Sequence, residues 1–581
     1  MFSTFSKIYK HSTKLKPFIS KTHTFKKFYQ QPNAQNKELI LSVLNSTATK
    51  REAKDYLKKY SADNKKNACI IILKDLLLQP DYVLDGFSST IKNLKMLGIN
   101  PIFVISEHGA KETSSSAANL LDRICHNKEL KTCFCPDLIT RKKSFEYRLS
   151  YPLYNEILKH GIIPILEPYI FDEINSKRNL TTSFPDYIKE LISLLNQDMI
   201  SVEKIFILNE HGGLPSAERS NYAHVFVNLF NEYNPILKQL ETEKKFLENN
   251  LKNKDNQPLI IKIQNTINKT RITNSLDVYN SHIENLKIMN EGLQNLPLSV
   301  TGVITTISAS SQEQAKNPLL HNILTDRSLI SCSLPVFKKE QNTDLTNNWY
   351  ELPLQHKTID PRLSSFFETT VLKKGINIRT FAHSKLTQYN SIGLPEKFWV
   401  KEKGQPKETG NKLDLYKFTK IINSSFQKNL DLTHYLNRID GNIAAIIVVG
   451  DYEGIAILTY EPTTGHKNSN VKPFVYLDKF AVMPHLKGSL GISDIIFNEM
   501  FKRFPNELLW RSRRDNVVNK WYFQRSCGVV DLSVDLDNNG DIKKDNIFKL
   551  FYYGTNGGFE DPKRLQEYAQ YIRDIEPSWE K

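Results

Sequence analysis

The sequence predicts an α/β protein of two successive folded units, and three observations carry that expectation. Short apolar runs alternate with helical stretches between residues 68 and 306, a polar stretch bearing Gly and Pro follows at 400–412, and from Leu413 the pattern changes to mixed strands and helices. A chain of 581 residues is also too long for one ordinary domain. The expected organisation is a leader at 1–37, a first unit at 38–395 with an insertion at about 228–295, a linker at 396–412, and a second unit at 413–581.

In the first unit, Glu38–Tyr60 reads as a helix of mixed polarity and Ala68–Leu73 as a buried strand. Val83–Leu97 reads as a helix closed by Gly98, a residue suited to the left-handed turn after a helix. Strands at Pro101–Ile105, Gly161–Leu166 and Lys204–Leu208 alternate with helices at Tyr154–His160 and Tyr187–Leu195, which argues a parallel sheet covered on both faces. Glu241–Asn256 is dense in Lys, Glu and Asn and reads as a solvated helix or insertion. Leu298–Thr306 resumes the pattern, and Thr370–Phe381 closes the unit.

In the second unit, Leu413–Lys428 carries Phe418, Ile421, Ile422 and Phe426 as a helical stripe. Strands follow at Ile443–Val449, Ile455–Tyr460 and Val475–Met483, then a helix at Gly491–Phe504. A strand at Glu507–Arg511, a helix at Asn519–Arg525 and a strand at Ile547–Tyr553 complete the pattern.

The formal charge of +15 would ordinarily suggest nucleic acid or an acidic membrane surface as partner. Its distribution argues otherwise: the first 37 residues hold eight lysines and neither Asp nor Glu, about half of the excess. That basic, hydroxyl-rich, acid-free stretch reads as a mitochondrial transit peptide, with Lys supplying the charge that Arg usually does. No apolar run is long enough to span a bilayer. Six cysteines, with Cys133 and Cys135 close together but no second close Cys/His pair, give no metal site.

The chemistry concentrates in Trp510–Phe523, WRSRRDNVVNKWYF. Arg511 and Arg513 are two apart on a strand and share a face, where each guanidinium can grip a carboxylate through paired hydrogen bonds. A small dicarboxylate suits that arrangement. Asn516, Asn519, Trp521 and Tyr522 follow within one turn-and-helix unit, and Tyr476–Val482 (YLDKFAV) precedes it. Together these residues resemble the acetyltransferase domain of N-acetylglutamate synthases, a GNAT-type fold, over about 413–560. Asn317–Arg327 and Thr370–Phe381 resemble the first domain of the fungal enzymes, so the likeness runs through nearly the whole chain after the leader.

The resemblance implies that Arg511, Arg513 and Lys428 hold glutamate carboxylates. Asn516 would position the substrate or the acetyl carbonyl, and Tyr522 would assist the departing thiolate. Trp521 and Phe523 are expected as core. It further implies that acetyl-CoA is bound by the backbone of Phe480, Ala481, Val482 and Met483 and by a loop of Lys487, Gly488, Ser489, Gly491 and Ile492 at a helix N-terminus, which favours anions. Leu490 stands where many relatives carry a further glycine. No general base is evident: His485 lies in the cofactor loop, and a water relay to a backbone carbonyl or to Asp478 stays open.

The first unit resembles an amino-acid kinase, in particular acetylglutamate kinase. The phosphate-binding glycines are missing: Lys74 is followed by Asp75-Leu-Leu-Leu78, and Glu107-His-Gly109 and Glu210-His-Gly-Gly213 are fragments of glycine-rich turns. A backbone cannot approach phosphate closely where bulky side chains replace glycine, so no kinase activity is expected. The family instead implies arginine as an inhibitor bound by this domain, self-association, acetylglutamate kinase as a partner, and a place in the mitochondrial matrix at the first step of ornithine and arginine synthesis. A protein N-acetyltransferase and a non-catalytic regulatory subunit are the competing readings; binding of acetyl-CoA separates the latter from both enzymes.

Overall fold

The computed structural model describes residues 67–580 apart from 107–110, 144–145, 181–182, 220–221, 253–258, 314–315, 335–367, 383–398, 401–412, 440, 462–472, 487–490, 534–546 and 555–561. The leader, the helix at Glu38–Tyr60, Glu107-His-Gly109 and most of the linker lie outside the described residues.

The first sheet contains β1 (Asn67–Leu73), β2 (Asn100–Ile105), β3 (Thr132–Phe134), β4 (Ile163–Leu166), β5 (Ser201–Asn209), β6 (Phe226–Asn228), β7 (Thr301–Thr306) and β8 (Thr370–Lys373) in the order β6-β8-β7-β5-β1-β2-β4-β3. Pairing is parallel except between β7 and β8. Every residue of β1 is buried, as a strand covered on both faces requires. Helices α1 (Asp81–Met96), α2 (Lys111–His126) and α3 (Phe184–Gln197) are among the covering elements, and Gly98 follows α1 with φ +82°. A small separate sheet of Ile139–Lys143, Glu146–Leu149, Tyr169–Asp172 and Lys177–Leu180 was not expected from the sequence.

The stretch 228–295, expected as an insertion, is largely helical. It forms two long helices, α4 (Leu229–Lys252) and α5 (Leu259–Gln294), that carry the chain from β6 to β7, after which comes the shorter α6 (Pro318–Thr325). The end of α5 buries Leu286, Met289 and Leu293 in the first core. The charged run at 241–256 conceals this because the burying residues lie on either side of it, Ile236 and Leu240 before and Leu286, Met289 and Leu293 after.

The second sheet contains β9 (Ile378–Ala382), β10 (Ile443–Val449), β11 (Gly454–Glu461), β12 (Phe474–Val482), β13 (Leu508–Arg513), β14 (Gly528–Asp531) and β15 (Phe548–Tyr553) in the order β9-β10-β11-β12-β13-β15-β14. The segment 370–381, expected to close the first unit, therefore divides: β8 pairs with β7, whereas β9 joins the second sheet antiparallel to β10. On one face lie α9 (Ile492–Arg503) and α10 (Asn519–Arg525), and on the other α7 (Leu415–Phe426), α8 (Leu432–Ile439) and α11 (Pro562–Asp574). Gly454 is required where β11 begins beneath α9: a Cβ there would lie 2.5 Å from Ile492 Cγ2 and 2.7 Å from Ile496 Cδ1.

The units are tied by a buried cluster. Arg525, 3% exposed, donates to Ser333 Oγ at 2.7 Å, Ser331 Oγ at 3.0 Å and Asp494 Oδ1 at 2.7 Å, and both serines also donate to Asp494. Asp494 is in the first turn of α9, and Arg525 ends α10. Among the described residues, none of the helices is long and apolar enough to cross a membrane.

Candidate active site

The central feature is a parting of two strands. β12 and β13 run parallel and pair only at Tyr476↔Leu509 and Leu477↔Trp510. Beyond Leu477, β12 continues to Val482 paired with β11 alone, and beyond Trp510, β13 continues to Arg513 paired with β15 alone. Backbone groups of Lys479–Val482 on the β13 side therefore lack a strand partner in the described residues. An amide-bearing ligand laid in the notch can supply those hydrogen bonds as an added strand would.

At the end of β12 the chain reaches α9, capped by Gly491 with φ +67°. The first-turn N–H groups of such a helix have no intrahelical acceptor and favour an anion. Of the cofactor-loop residues expected from the sequence, Gly491 and Ile492 stand at the helix start, while Lys487, Gly488 and Ser489 lie outside the described residues. Phe480, Ala481, Val482 and Met483 line the end of β12. Phe480 packs edge-on against Phe497 at 5.1 Å and stacks parallel to Trp521 at 6.5 Å.

Tyr522 lies behind β13 in an aromatic box of Phe497, Trp510, Trp521 and Phe551, with ring centroids 5.5–5.9 Å away. Burial pushes its phenol above the ordinary value, so it remains a proton donor at neutral pH. The expectation for its neighbours needs correcting. Trp521 is half-buried against the core, but Phe523 is 44% exposed, its ring 5.3 Å from Phe551 at the surface. A short helix buries one stripe, and Tyr522 and Arg525, three apart, occupy it.

Asn516 sits in the turn between β13 and α10. Its amide donates to Ser512 Oγ at 2.9 Å and its carbonyl oxygen accepts from Val518 N at 3.1 Å. Asn519 braces the same turn by donating to the carbonyls of Arg513 and Arg514 at 2.7 and 3.1 Å. Both hold the end of β13 in place.

On the opposite face of β13, Arg511 and Arg513 follow Leu509 by strand alternation, as expected. Their partners differ. Arg513 is exposed and pairs with Asp515 at 3.0 Å. Arg511 donates to the carbonyls of Ile572 at 2.6 Å and Ile575 at 2.9 Å, closing the end of α11, and lies over the Phe548 ring at 4.7 Å. It thus has a structural task that the sequence did not reveal, with donors left for a ligand among its five N–H groups. Lys428 is exposed just after α7, whose cap Gln427 has φ +56°.

Lys479 is a further cation at the parting strands that sequence reasoning passed over, seeing only the backbone of its neighbours. Its ammonium lies 2.9 Å from Asp478, 4.7 Å from the Tyr435 ring centroid and 5.7 Å from that of Trp579. Burial lowers its pKa, opposed by the Asp478 carboxylate. The signal was an adjacent acid and base inside an otherwise apolar strand, which burial tolerates only when they are paired.

Asp478 makes a poor base. Burial alone would raise its pKa, but Lys479 and Arg438 outweigh it and hold the carboxyl down to about 2. Arg438 also donates to Glu461 at 3.2 Å, and Glu461 accepts from Thr459 at 2.6 Å and Tyr571 at 2.6 Å. Both carboxylates are committed to this buried network.

A notch between parting parallel strands, a helix start suited to an anion and a buried phenol in the adjoining core are what an acetyl-CoA-dependent N-acetyltransferase requires. A family profile described as "NAT, N-acetyltransferase, of N-acetylglutamate synthase" matches residues 404–575. The mitochondrial amino-acid acetyltransferase of Saccharomyces cerevisiae (strain ATCC 204508 / S288c) is 47% identical over 570 residues, covering 95% of this chain and 97% of that one. The protein of the same name from Kluyveromyces lactis is 47% identical (95% and 98% covered), and that from Candida dubliniensis 30% identical (94% and 96% covered). The chain belongs to the family of mitochondrial amino-acid acetyltransferases, and is a mitochondrial enzyme that uses acetyl-CoA as co-substrate. An aspartate kinase structure from Synechocystis overlaps 29% of this chain and 34% of its own at a TM-score of 0.23 and 7% identity, too slight a likeness to bear on the first unit.

Proposed function

We propose that the chain transfers the acetyl group of acetyl-CoA to the α-amine of glutamate in the mitochondrial matrix, the first step of ornithine and arginine synthesis. The observation that carries this reading is the set of cations beside the notch: Arg511 and Arg513 on one strand face and Lys479 on the neighbouring strand, with Lys428 at the end of α7. Cations held at fixed positions suit a small dicarboxylate, whose charges they neutralise while its amine stays free.

The amine attacks the thioester carbon directly, giving a tetrahedral intermediate. Collapse breaks the C–S bond, and Tyr522 donates a hydrogen bond or its proton to the departing thiolate. A thiol pKa of about 8.5 means that only modest help is needed. Asn516 is assigned to orienting the acetyl carbonyl or the substrate. The amine's proton leaves through water, since Asp478 and Glu461 are committed elsewhere.

The first unit is assigned a regulatory role, with arginine as inhibitor, self-association and acetylglutamate kinase as partner, all resting on the sequence resemblance. Support for the absence of kinase activity comes from Lys74, which is fully buried and ion-paired with Glu284 of α5, while Leu76–Leu78 form a 3-10 turn where a phosphate loop would need glycine. The test is release of CoA thiol with acetyl-CoA and each amino acid in turn, with and without arginine. Glutamate-dependent release suppressed by arginine supports both assignments; release with a different amino acid alone refutes the substrate.

A further inference from the structure

The segment Ser578–Glu580 lies across the loop that follows Lys428. Trp579 pairs with Leu430 in an antiparallel bridge, flanked by Asp431 N donating to Ser578 O at 3.1 Å and Glu580 N donating to Asn429 O at 3.0 Å. The loop is also held from within, Leu430 N donating to Asn423 Oδ1 at 2.9 Å. The Trp579 ring packs 5.1 Å from the ring of Phe426, the last residue of α7, and beneath the Lys479 ammonium at 5.7 Å. A few residues earlier, the carbonyls of Ile572 and Ile575 are the acceptors for Arg511.

One short stretch of chain therefore touches the supports of three cations. It bonds the backbone beside Lys428, offers an aromatic face to Lys479, and follows shortly after Ile575, where Arg511 is anchored. Ser578 is 2% exposed, so the strap is built into the fold rather than laid on it. A lysine on four rotatable bonds costs entropy to hold, and a ring face on one side with a carboxylate on the other reduces its alternatives.

We propose that Ser578–Glu580 is a strap that sets the positions of the substrate-carboxylate cations, with Trp579 as a positioning residue. The proposal rests on the glutamate reading above. Losing the ring removes one of the two aromatic faces around Lys479 and loosens the Lys428 loop, but leaves β12, α9 and the notch unchanged. Substrate binding is then weakened separately from cofactor binding.

The experiment compares the full chain with Trp579→Ala and Trp579→Phe, measuring kcat, both KM values and the thermal midpoint. Trp579→Ala is expected to raise the glutamate KM about fivefold or more, the loss expected for one cation–aromatic contact plus loop freedom. Its acetyl-CoA KM should stay within about twofold, and Trp579→Phe should recover most of the loss because a ring face is restored. A glutamate KM unchanged in Trp579→Ala overturns the strap while leaving the glutamate reading intact. So does a parallel rise in both KM values with a lowered thermal midpoint, which marks a purely structural tail. If the unaltered enzyme turns over another amino acid instead of glutamate, the glutamate reading falls, and the KM of that amino acid in Trp579→Ala decides the strap by the same criterion.

Discussion

Replacing Tyr522 by Phe removes one oxygen and keeps the ring that Phe497, Trp510, Trp521 and Phe551 enclose. No partner for the phenol oxygen occurs among the described residues, so the change breaks no internal hydrogen bond there and should leave the thermal midpoint within about 2 °C. In the proposed reaction the same oxygen would face a sulfur that gains negative charge as the C–S bond breaks. A hydrogen bond to a charged group is worth roughly 1.5–3 kcal/mol net, which becomes a fall in kcat of about 10- to 150-fold. Because the charge appears only in the transition state, both KM values should hold. Burial raises the phenol above its usual value near 10, so Tyr522 stays protonated as pH rises through the working range. It should therefore contribute no loss of kcat on the alkaline side below about pH 10, in the intact enzyme as in Tyr522→Phe. The assay is thiol release at saturating acetyl-CoA and glutamate. A kcat within about twofold of the unaltered enzyme would refute the reasoning and return Tyr522 to the core.

Arg513→Ala should raise the glutamate KM at least about tenfold with the acetyl-CoA KM unchanged, and cost under about 0.5 kcal/mol of stability because its pair with Asp515 is exposed; an unchanged glutamate KM places the carboxylate elsewhere. Arg511→Ala should weaken glutamate binding and also lower the thermal midpoint, because the end of α11 loses two hydrogen bonds; normal stability would contradict the anchoring role. Asp478→Asn leaves Arg438 and Lys479 short of one buried counter-charge and should cost roughly 3 kcal/mol in denaturant unfolding. The folded pKa of Asp478 is depressed, so its contribution to stability is complete above the unfolded value near 3.9 and fades as pH falls through about 2. Between those limits Asp478→Asn should show a flatter acid-denaturation profile than the unaltered protein, and parallel profiles would count against the linkage. Asp494→Ala should also destabilise by roughly 3 kcal/mol, since it strands Arg525 between the units, and a change below 1 kcal/mol would mean that water takes over the carboxylate's place.

The longer strands of the first sheet are legible because a strand covered on both faces must be largely apolar, as Ala68–Leu73 of β1 is, whereas β3 and β6, three residues each, are too short to show it. Four elements of the second unit escape that logic, one of them the four-residue β14, every residue of which is half-buried. The helix α8 is eight residues long and buries Tyr435 and Ile439, too few to show a period. The helix α11 is polar along most of its length and gains its place through Tyr568, Ala569 and Ile572. The strand β9 lies far upstream of the sheet it joins, and local pattern carries no information about a partner more than sixty residues away. At the site, the paired guanidinium positions were readable from Arg-x-Arg in a strand. The occupation of Arg511 by α11 and the commitment of Asp478 depend on contacts distant in sequence. Phe523 was misread because a triplet of aromatic residues does not say which one faces inward.

The edge position of β9 bears on how this protein can be divided. The family profile begins at residue 404, beyond Ile378–Ala382, and ends at 575, before Ser578. A fragment cut to those limits would bare one side of β10, whose IAAIIVV is wholly apolar and ready to pair with a second molecule. It would also leave Asp494 and Arg525 facing solvent without Ser331 and Ser333. Such a fragment should clump where the intact chain stays dispersed, and a version retaining 370–382 joined ahead of 413 should resist it. The transferase unit thus borrows its outer strand from sequence that precedes the linker, and so its solubility is tied to the rest of the chain.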